Sequence, residues 1–431
     1  MKQARVMQGE DACRQVGIRR SAGIGRPVDV RRPADVRRLG GLVLALVATA
    51  LAGLAFAASP ASAQTYTDVP KVHWAHAAVD WVTDVGPLGR KVLDDYGAKF
   101  RPERAITRRQ LARALVIASG HQDDTVTPVA IPDVVPDIDP YYWDIQIAVS
   151  LGLMAASGDG FHPDATVTAS KAESAIVRMI KLMQSDDDWG LLTALRPGTW
   201  EPTAGWRPTV PSRLPYVVAS RHLLLRFNHP YGNEEQEVLP GQAIDRAEVA
   251  YMLREALTLS EWEVDGLVAY KSISLPALSK RQRQVLGFAL KYVGYPYVYC
   301  GEYPTRDSPY GYQECGGFDC SGFVWWVLKI HFKYPISVNE RGASDMARKA
   351  KPRVSRSGLK PGDIMFFGPN GPRSTAGSIY HAAIYMGRGW FIHSTGSSDG
   401  VTVASLNASD YWRTHFAWGR RVLTKAELAL Q

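Results

Sequence analysis

The spacing of apolar residues changes character along this chain. Val249, Met252, Leu253 and Ala256 fall on one face at helical spacing, and so do Val285, Leu286, Ala289 and Val293. Ser279 and Gln282 form a capping box at the start of the second helix, and Gly294 suits its C-terminal cap. The apolar and aromatic run Val324 to Ile330 reads as a buried helix that begins near Cys320. After the turn Leu359-Lys360-Pro361-Gly362-Asp363 the pattern becomes that of strands. Ile364 to Phe367 is one strand. His381 to Met386 and Trp390 to Ser394 form a hairpin about Gly387-Arg388-Gly389. The expected class is α+β: a mainly helical N-terminal part, then a helix bundle packed on a small antiparallel sheet.

The helical part contains an internal repeat. Copy one runs from Tyr66-Thr67-Asp68-Val69 through Trp74 to Phe100-Arg101-Pro102 and Thr107-Arg108-Arg109-Gln110. Copy two has Ile131-Pro132-Asp133-Val134, Trp143, Phe161-His162-Pro163 and Ser170-Lys171-Ala172-Glu173. Copy three is worn, retaining Leu239-Pro240 and Asp245-Arg246-Ala247-Glu248. Thr107, Ser170 and Asp245 are expected N-caps, with Gln110, Glu173 and Glu248 three residues later.

The net charge of +8 is concentrated at the N-terminus, where residues 1–63 hold ten Lys/Arg and four Asp/Glu. The remainder is near neutral, which argues against a nucleic-acid partner. Arg31, Arg32, Arg37 and Arg38 precede an uncharged apolar run, Leu39 to Ala58, and then Ala61-Ser62-Ala63. This reads as an export signal cleaved after Ala63, with a retained membrane anchor as the alternative. After cleavage no stable membrane insertion is expected. Export places Cys300, Cys315 and Cys320 in an oxidising compartment. One pair, Cys300 with Cys315, and one working thiol, Cys320, are expected. Three cysteines without CxxC spacing make no case for a metal, and no cofactor is called for.

Cys320 falls where a loop becomes a helix, a setting that favours thiolate over thiol. If Met386 pairs with Trp390, Ala383 lies opposite His393 and His381 shares their face. The two histidines are then diagonal neighbours, roughly 7–8 Å apart at the backbone. Cys320 as nucleophile, His381 as base and His393 as its orienting partner form a thiol-hydrolase constellation.

With these motifs laid out, residues 65–260 resemble surface-layer-homology repeats. That resemblance implies a pseudo-threefold helical unit that binds anionic secondary cell-wall polymers, with Arg108, Lys171 and Arg246 as cationic contacts. A structural spacer is the alternative. Residues 280–420 resemble the NlpC family of papain-like cell-wall cysteine peptidases. The resemblance is carried by Gly294-x-Pro296-Tyr297, Phe318-Asp319-Cys320-Ser321-Gly322-Phe323-Val324, Arg341, Leu359-x-Pro361-Gly362-Asp363, His381-x-x-Ile384-Tyr385-x-Gly387 and Ile392-His393. It implies Tyr297 as an oxyanion donor, and Asp319 and Ser321 as holders of the substrate's amino end. Cys300, where the family often has glycine, and the long loop before Phe318 are departures.

The expected organisation is a signal peptide (1–63), repeats at 64–125, 126–185 and 214–260, an insertion at 186–213, a linker at 261–276 and a peptidase unit at 277–425. The expected function is an exported endopeptidase, secreted to the cell wall, that cuts peptidoglycan stem peptides between D-glutamate and the diamino residue. The alternatives are an inactive wall-binding scaffold, or another thiol-dependent amidase or transpeptidase on the same fold.

Overall fold

The computed structural model describes residues 66–84, 90–183, 213–260, 263, 267, 270, 273–308, 313, 315–398 and 400–430. The expected signal and nearly all of the expected insertion lie outside the described residues. Among the described residues no helix is long and apolar enough to cross a membrane.

The repeats supply α1 (His76–Thr83), α2 (Arg108–Ala118), α3 (Tyr142–Ser150), α4 (Ala169–Met183), α5 (Leu214–His222) and α6 (Arg246–Leu257). The three segments that lead into α2, α4 and α6 meet in a closed ring of backbone bonds. Ile106 N–H donates to Ile244 O (3.0 Å), Ile244 N–H to Val167 O (2.9 Å) and Val167 N–H to Ile106 O (3.0 Å). This ring gives the three segments a pseudo-threefold centre, as the resemblance to surface-layer-homology repeats implies.

Each opening aspartate has a local task. Asp68 accepts from the N–H groups of Phe100 and Arg101, and Asp133 from those of Phe161 and His162. Those carboxylates hold Arg101 (φ 61°) and His162 (φ 56°) in the left-handed region, which costs a residue with a Cβ about 1–2 kcal/mol.

The helix caps follow the sequence in copies one and three. Thr107 and Gln110 make a full capping box, and Asp245 accepts from Glu248 N–H at 2.8 Å. Copy two departs by two residues. Its helix starts at Ala169, so Thr168, not Ser170, holds the cap position. Thr168 follows Phe161 by seven residues, as Thr107 follows Phe100. Ser170 lies inside the helix, and Glu173 is fully buried.

The C-terminal unit contains α7 (Lys280–Leu290), β1 (Glu302–Tyr303), β2 (Gly317–Phe318), α8 (Cys320–Val324), a π-helical continuation Trp325–His331, α9 (Ala343–Arg348) and α10 (Asp410–His415). Its sheet has the order β6-β5-β4-β3-β7, antiparallel throughout. The strands are β3 (Ile364–Phe367), β4 (His381–Gly387), β5 (Trp390–Thr395), β6 (Gly400–Ser405) and β7 (Phe416–Arg420). One face packs on α8, and α7 packs on the continuation of that helix. The other holds a small core of Met365, Phe367, Ala383, Tyr385, Phe391, Ala404, Leu406 and Phe416. Ile384 pairs with Ile392 and Tyr385 with Phe391, which is the register read from the hairpin. A bulge shortens the turn so that Gly387, not Met386, faces Trp390.

The two units are packed together. The ring of His222 on α5 lies 4.0 Å from that of Tyr270, and its Nε2 is 2.8 Å from Val403 O on the edge strand β6. The expected linker takes part: Leu267, Tyr270, Ile273 and Leu275 are buried.

Candidate active site

Cys320 opens α8 because Asp319 caps it. Asp319 Oδ1 accepts from Gly322 N–H (2.6 Å) and Ser321 Oγ (3.0 Å). Gly322 has no room for a side chain, since a Cβ there would stand 2.0 Å from Gly301 O. The sulfur rests against β4 on both sides of His381. It accepts from Ala382 N–H and lies 3.9 Å from Tyr380 O. His381 Nε2 is 2.8 Å from His393 Nδ1. That bond leaves His381 Nδ1 as the ring nitrogen able to serve the thiol. The three side chains come from a helix start and two paired strands, and all three residues are buried.

Burial also sets the protonation states. The Cys320 thiol is pushed up to about 12, first by burial and then by the charge of Asp319. His381 is lowered to about 3 by burial, and His393 lies well below its ordinary value for the same reason. Burial thus works against the thiolate that a helix mouth favours. The Asp319 carboxylate already caps the first turn, and Cys320 is buried. Both shifts favour the neutral form of each group.

Tyr297 lies beside the thiol on a segment bridged to Phe318. Burial, then the nearby Cys320 and Asp319, raise its phenol, so it remains an O–H donor. Asp319 and Ser321 are already engaged. Arg341 donates to Asp319 Oδ1 and Oδ2 (3.1 Å each), Ser321 Oγ (3.0 Å), Glu302 Oε2 (2.5 Å), Cys300 O (3.1 Å) and Gly301 O (2.9 Å). A substrate amine would have to share these oxygens.

Cys300 is disulfide-bonded, and Cys315 Sγ lies 3.4 Å from Gly316 O. The loop is also held by the Gln313 amide, which accepts from Glu302 N–H and Tyr303 N–H and donates to Tyr303 O and Cys315 O.

The three expected polymer contacts fare differently. Arg246 is fully buried, stacked on Phe100, and donates to Phe100 O and Asp94 O. It cannot reach a polymer. Arg108 is half-buried and makes the same kind of bond, to Phe161 O and Ala155 O. Lys171 is exposed but is not the counterpart of these arginines; Ala169 holds that position.

Sequence reasoning assigned no role to Glu302, Trp412 or Ser394. The Trp412 ring lies 5.0 Å from that of His381 and 4.9 Å from that of His393. Ser394 Oγ donates to Phe318 O at 2.6 Å, tying β5 to the strand before the nucleophile. An exposed-looking Trp in Tyr411-Trp412-Arg413 was the one available signal. Among the described residues no cluster of His, Cys, Asp and Glu could hold a metal.

Residues 294–421 match the NlpC/P60 family, and residues 65–112 and 135–168 match the S-layer homology domain. Murein DD-endopeptidase MepH of Escherichia coli K12 is 33% identical over 153 residues, 35% of this chain and 49% of that protein. Gamma-DL-glutamyl hydrolase of Bacillus subtilis 168 is 32% identical over 175 residues, 38% of each. The chain thus spans about half or less of the length of these relatives. A crystal structure of an NlpC/P60 family protein from Bacillus cereus is 26% identical and covers 34% of this chain and 42% of that one, with a TM-score of 0.27. The sulfur at a helix start beside a paired histidine couple, together with the family match over the same residues, shows that this chain carries an NlpC/P60 domain behind S-layer homology repeats.

Proposed function

We propose that the chain is an exported cysteine endopeptidase that hydrolyses amide bonds of peptidoglycan stem peptides and is held at the cell wall by its repeats. The supporting observation is the 2.8 Å bond from His381 on β4, against which the Cys320 sulfur rests, to His393 on β5. In this reading His381 takes the thiol proton as Sγ attacks the amide carbon. The tetrahedral oxyanion accepts from the Tyr297 O–H and a backbone N–H at the α8 start. His381 then returns the proton to the leaving amine, the C–N bond breaks and a thioester remains. Water, deprotonated by His381, attacks the thioester, and the thiol is regenerated with release of the acid.

The scissile bond we favour joins D-glutamate to the diamino residue. The catalytic unit is residues 277–425, and the exposed Lys171 and the outer edge of Arg108 are the remaining cationic candidates for an anionic wall polymer. Replacing Cys320 with Ala should abolish release of cleaved muropeptides while the melting temperature is preserved, and mass spectrometry of the products identifies the bond. Undiminished cleavage by this variant refutes the reading.

A further inference from the structure

Three of the bonds between the third repeat and the catalytic unit bracket Tyr297. Arg221 on α5 donates to Gly294 O at 2.8 Å, three residues before it. The Glu234 carboxylate accepts from Tyr299 N–H at 2.6 Å, two residues after it. Asn228 Nδ2 donates to Gly396 O at 3.2 Å, in the turn that leaves the His393 strand. Gly396 lies against the Tyr297 ring. A Cβ built on it would be 3.3 Å from Asn228 Nδ2 and 3.5 Å from Tyr297 Cδ1. The repeat thus holds the 294–299 segment from both ends and steadies the wall beside its central residue.

The gripping residues are themselves fixed. Arg221, Arg226, His229, Glu234 and Glu237 are each at most 4% exposed. Arg226 pairs with Glu248 of α6 at 3.0 Å, Arg221 lies 3.4 Å from Glu173 of α4, and His229 N–H donates to Glu237 at 2.6 Å. A buried network of this kind tolerates one arrangement, because displacement of any member leaves a charge unpaired in low dielectric. Gly294 records the same contact, since a Cβ there would stand 3.0 Å from Val217 Cγ1 and 3.2 Å from Pro240 Cγ, both in the repeat.

We propose that the third repeat belongs to the catalytic apparatus: Glu234 and Asn228 are positioning residues that aim the Tyr297 hydroxyl at the oxyanion. This rests on the peptidase reading above. The repeat is then more than a tether, and its docking sets the rate of acyl transfer.

The test is a double-mutant cycle in the full chain, with kcat and KM measured on purified muropeptide and a thermal melt for each variant. Glu234→Ala should lower kcat about tenfold, within the range of coupling between neighbouring residues. KM should stay within about twofold. Glu234→Gln keeps a carbonyl for the Tyr299 N–H and should restore kcat to within about twofold of the parent. In a Tyr297→Phe background the further loss from Glu234→Ala should shrink to less than about twofold, because the hydroxyl it aims is gone. Asn228→Ala, which leaves the buried charges intact, is put through the same cycle and carries the test if Glu234→Ala fails to fold. Equal losses in both backgrounds, or unchanged kcat, overturn the proposal. Retained activity in Cys320→Ala would instead remove the peptidase reading beneath it.

Discussion

Arg341→Met should be the most destabilising single substitution near the site. The guanidinium lies between two poorly exposed carboxylates, with side-chain exposures of 13% for Asp319 and 11% for Glu302. It also satisfies Cys300 O and Gly301 O. Methionine fills much the same volume but leaves both acids without their cation. Breaking a buried pair in this way costs about 3–5 kcal/mol, whereas an exposed pair is worth about 0–1 kcal/mol. For a unit of this size, 3–5 kcal/mol lowers the melting temperature by about 10 °C. Burial already raises the Glu302 carboxyl, and Arg341 pulls it back. Without Arg341 the folded value rises further above the unfolded one. Stability is then lost as pH climbs through that raised value, and the deficit should be larger at pH 7 than at pH 5. Equilibrium urea unfolding at both pH values reads both effects, and Glu302→Gln in the same background should recover part of the loss. A fall in melting temperature of less than about 2 °C, with no pH dependence, would mean that these charges are worth no more than a surface pair.

His393→Ala should lower kcat about a hundredfold, by freeing His381 Nε2 to turn away from the thiol, while His393→Asn, which can still bond that nitrogen, should lose much less; equal losses in the two variants would sink the orienting role. Buried neutral histidines should also make the fold acid-sensitive. His222 is lowered to about 4 and His381 to about 3, both by burial. The unfolded chain takes up those protons first, so stability rises with pH, and the loss runs downward from about pH 6.5 toward those folded values. Between pH 6.5 and 4.5 each should remove about 2 kcal/mol, read as a falling urea midpoint; His222→Gln should flatten the slope, and a pH-independent midpoint would refute the reasoning.

The hairpin could be read from sequence because strand periodicity leaves little choice: one-residue slippage would have put His381 and His393 on opposite faces. The start of α4 could not be settled by the same local logic. Thr168-Ala169-Ser170-Lys171-Ala172-Glu173 offers two cap residues, and the Ser170-to-Glu173 spacing makes the better isolated box. The ring of backbone bonds through Val167 overrides that preference. The seven-residue step from the F-x-P phenylalanine, common to copies one and two, was the more informative count. Arg246 misled for a related reason. A basic residue in a first helical turn looks solvated, yet its guanidinium reaches carbonyls of the first repeat. The sequence at Arg246 carries no mark of those acceptors.

The same reasoning explains why the docking of the third repeat left almost no trace. Three of its bonds to the catalytic unit end on backbone oxygens, those of Gly294, Gly396 and Val403, and a fourth starts from the N–H of Tyr299. Every residue offers a carbonyl, so such a bond fixes the donor side chain but leaves the acceptor's identity unconstrained. Only close approach constrains the other partner. That is why the mark of this seam on the catalytic unit is Gly294, a position that reads from sequence as a helix cap. Its φ of 93° suits that role. The contact distances to Val217 and Pro240 give it a second reason to be glycine, and only the folded chain brings those residues to it.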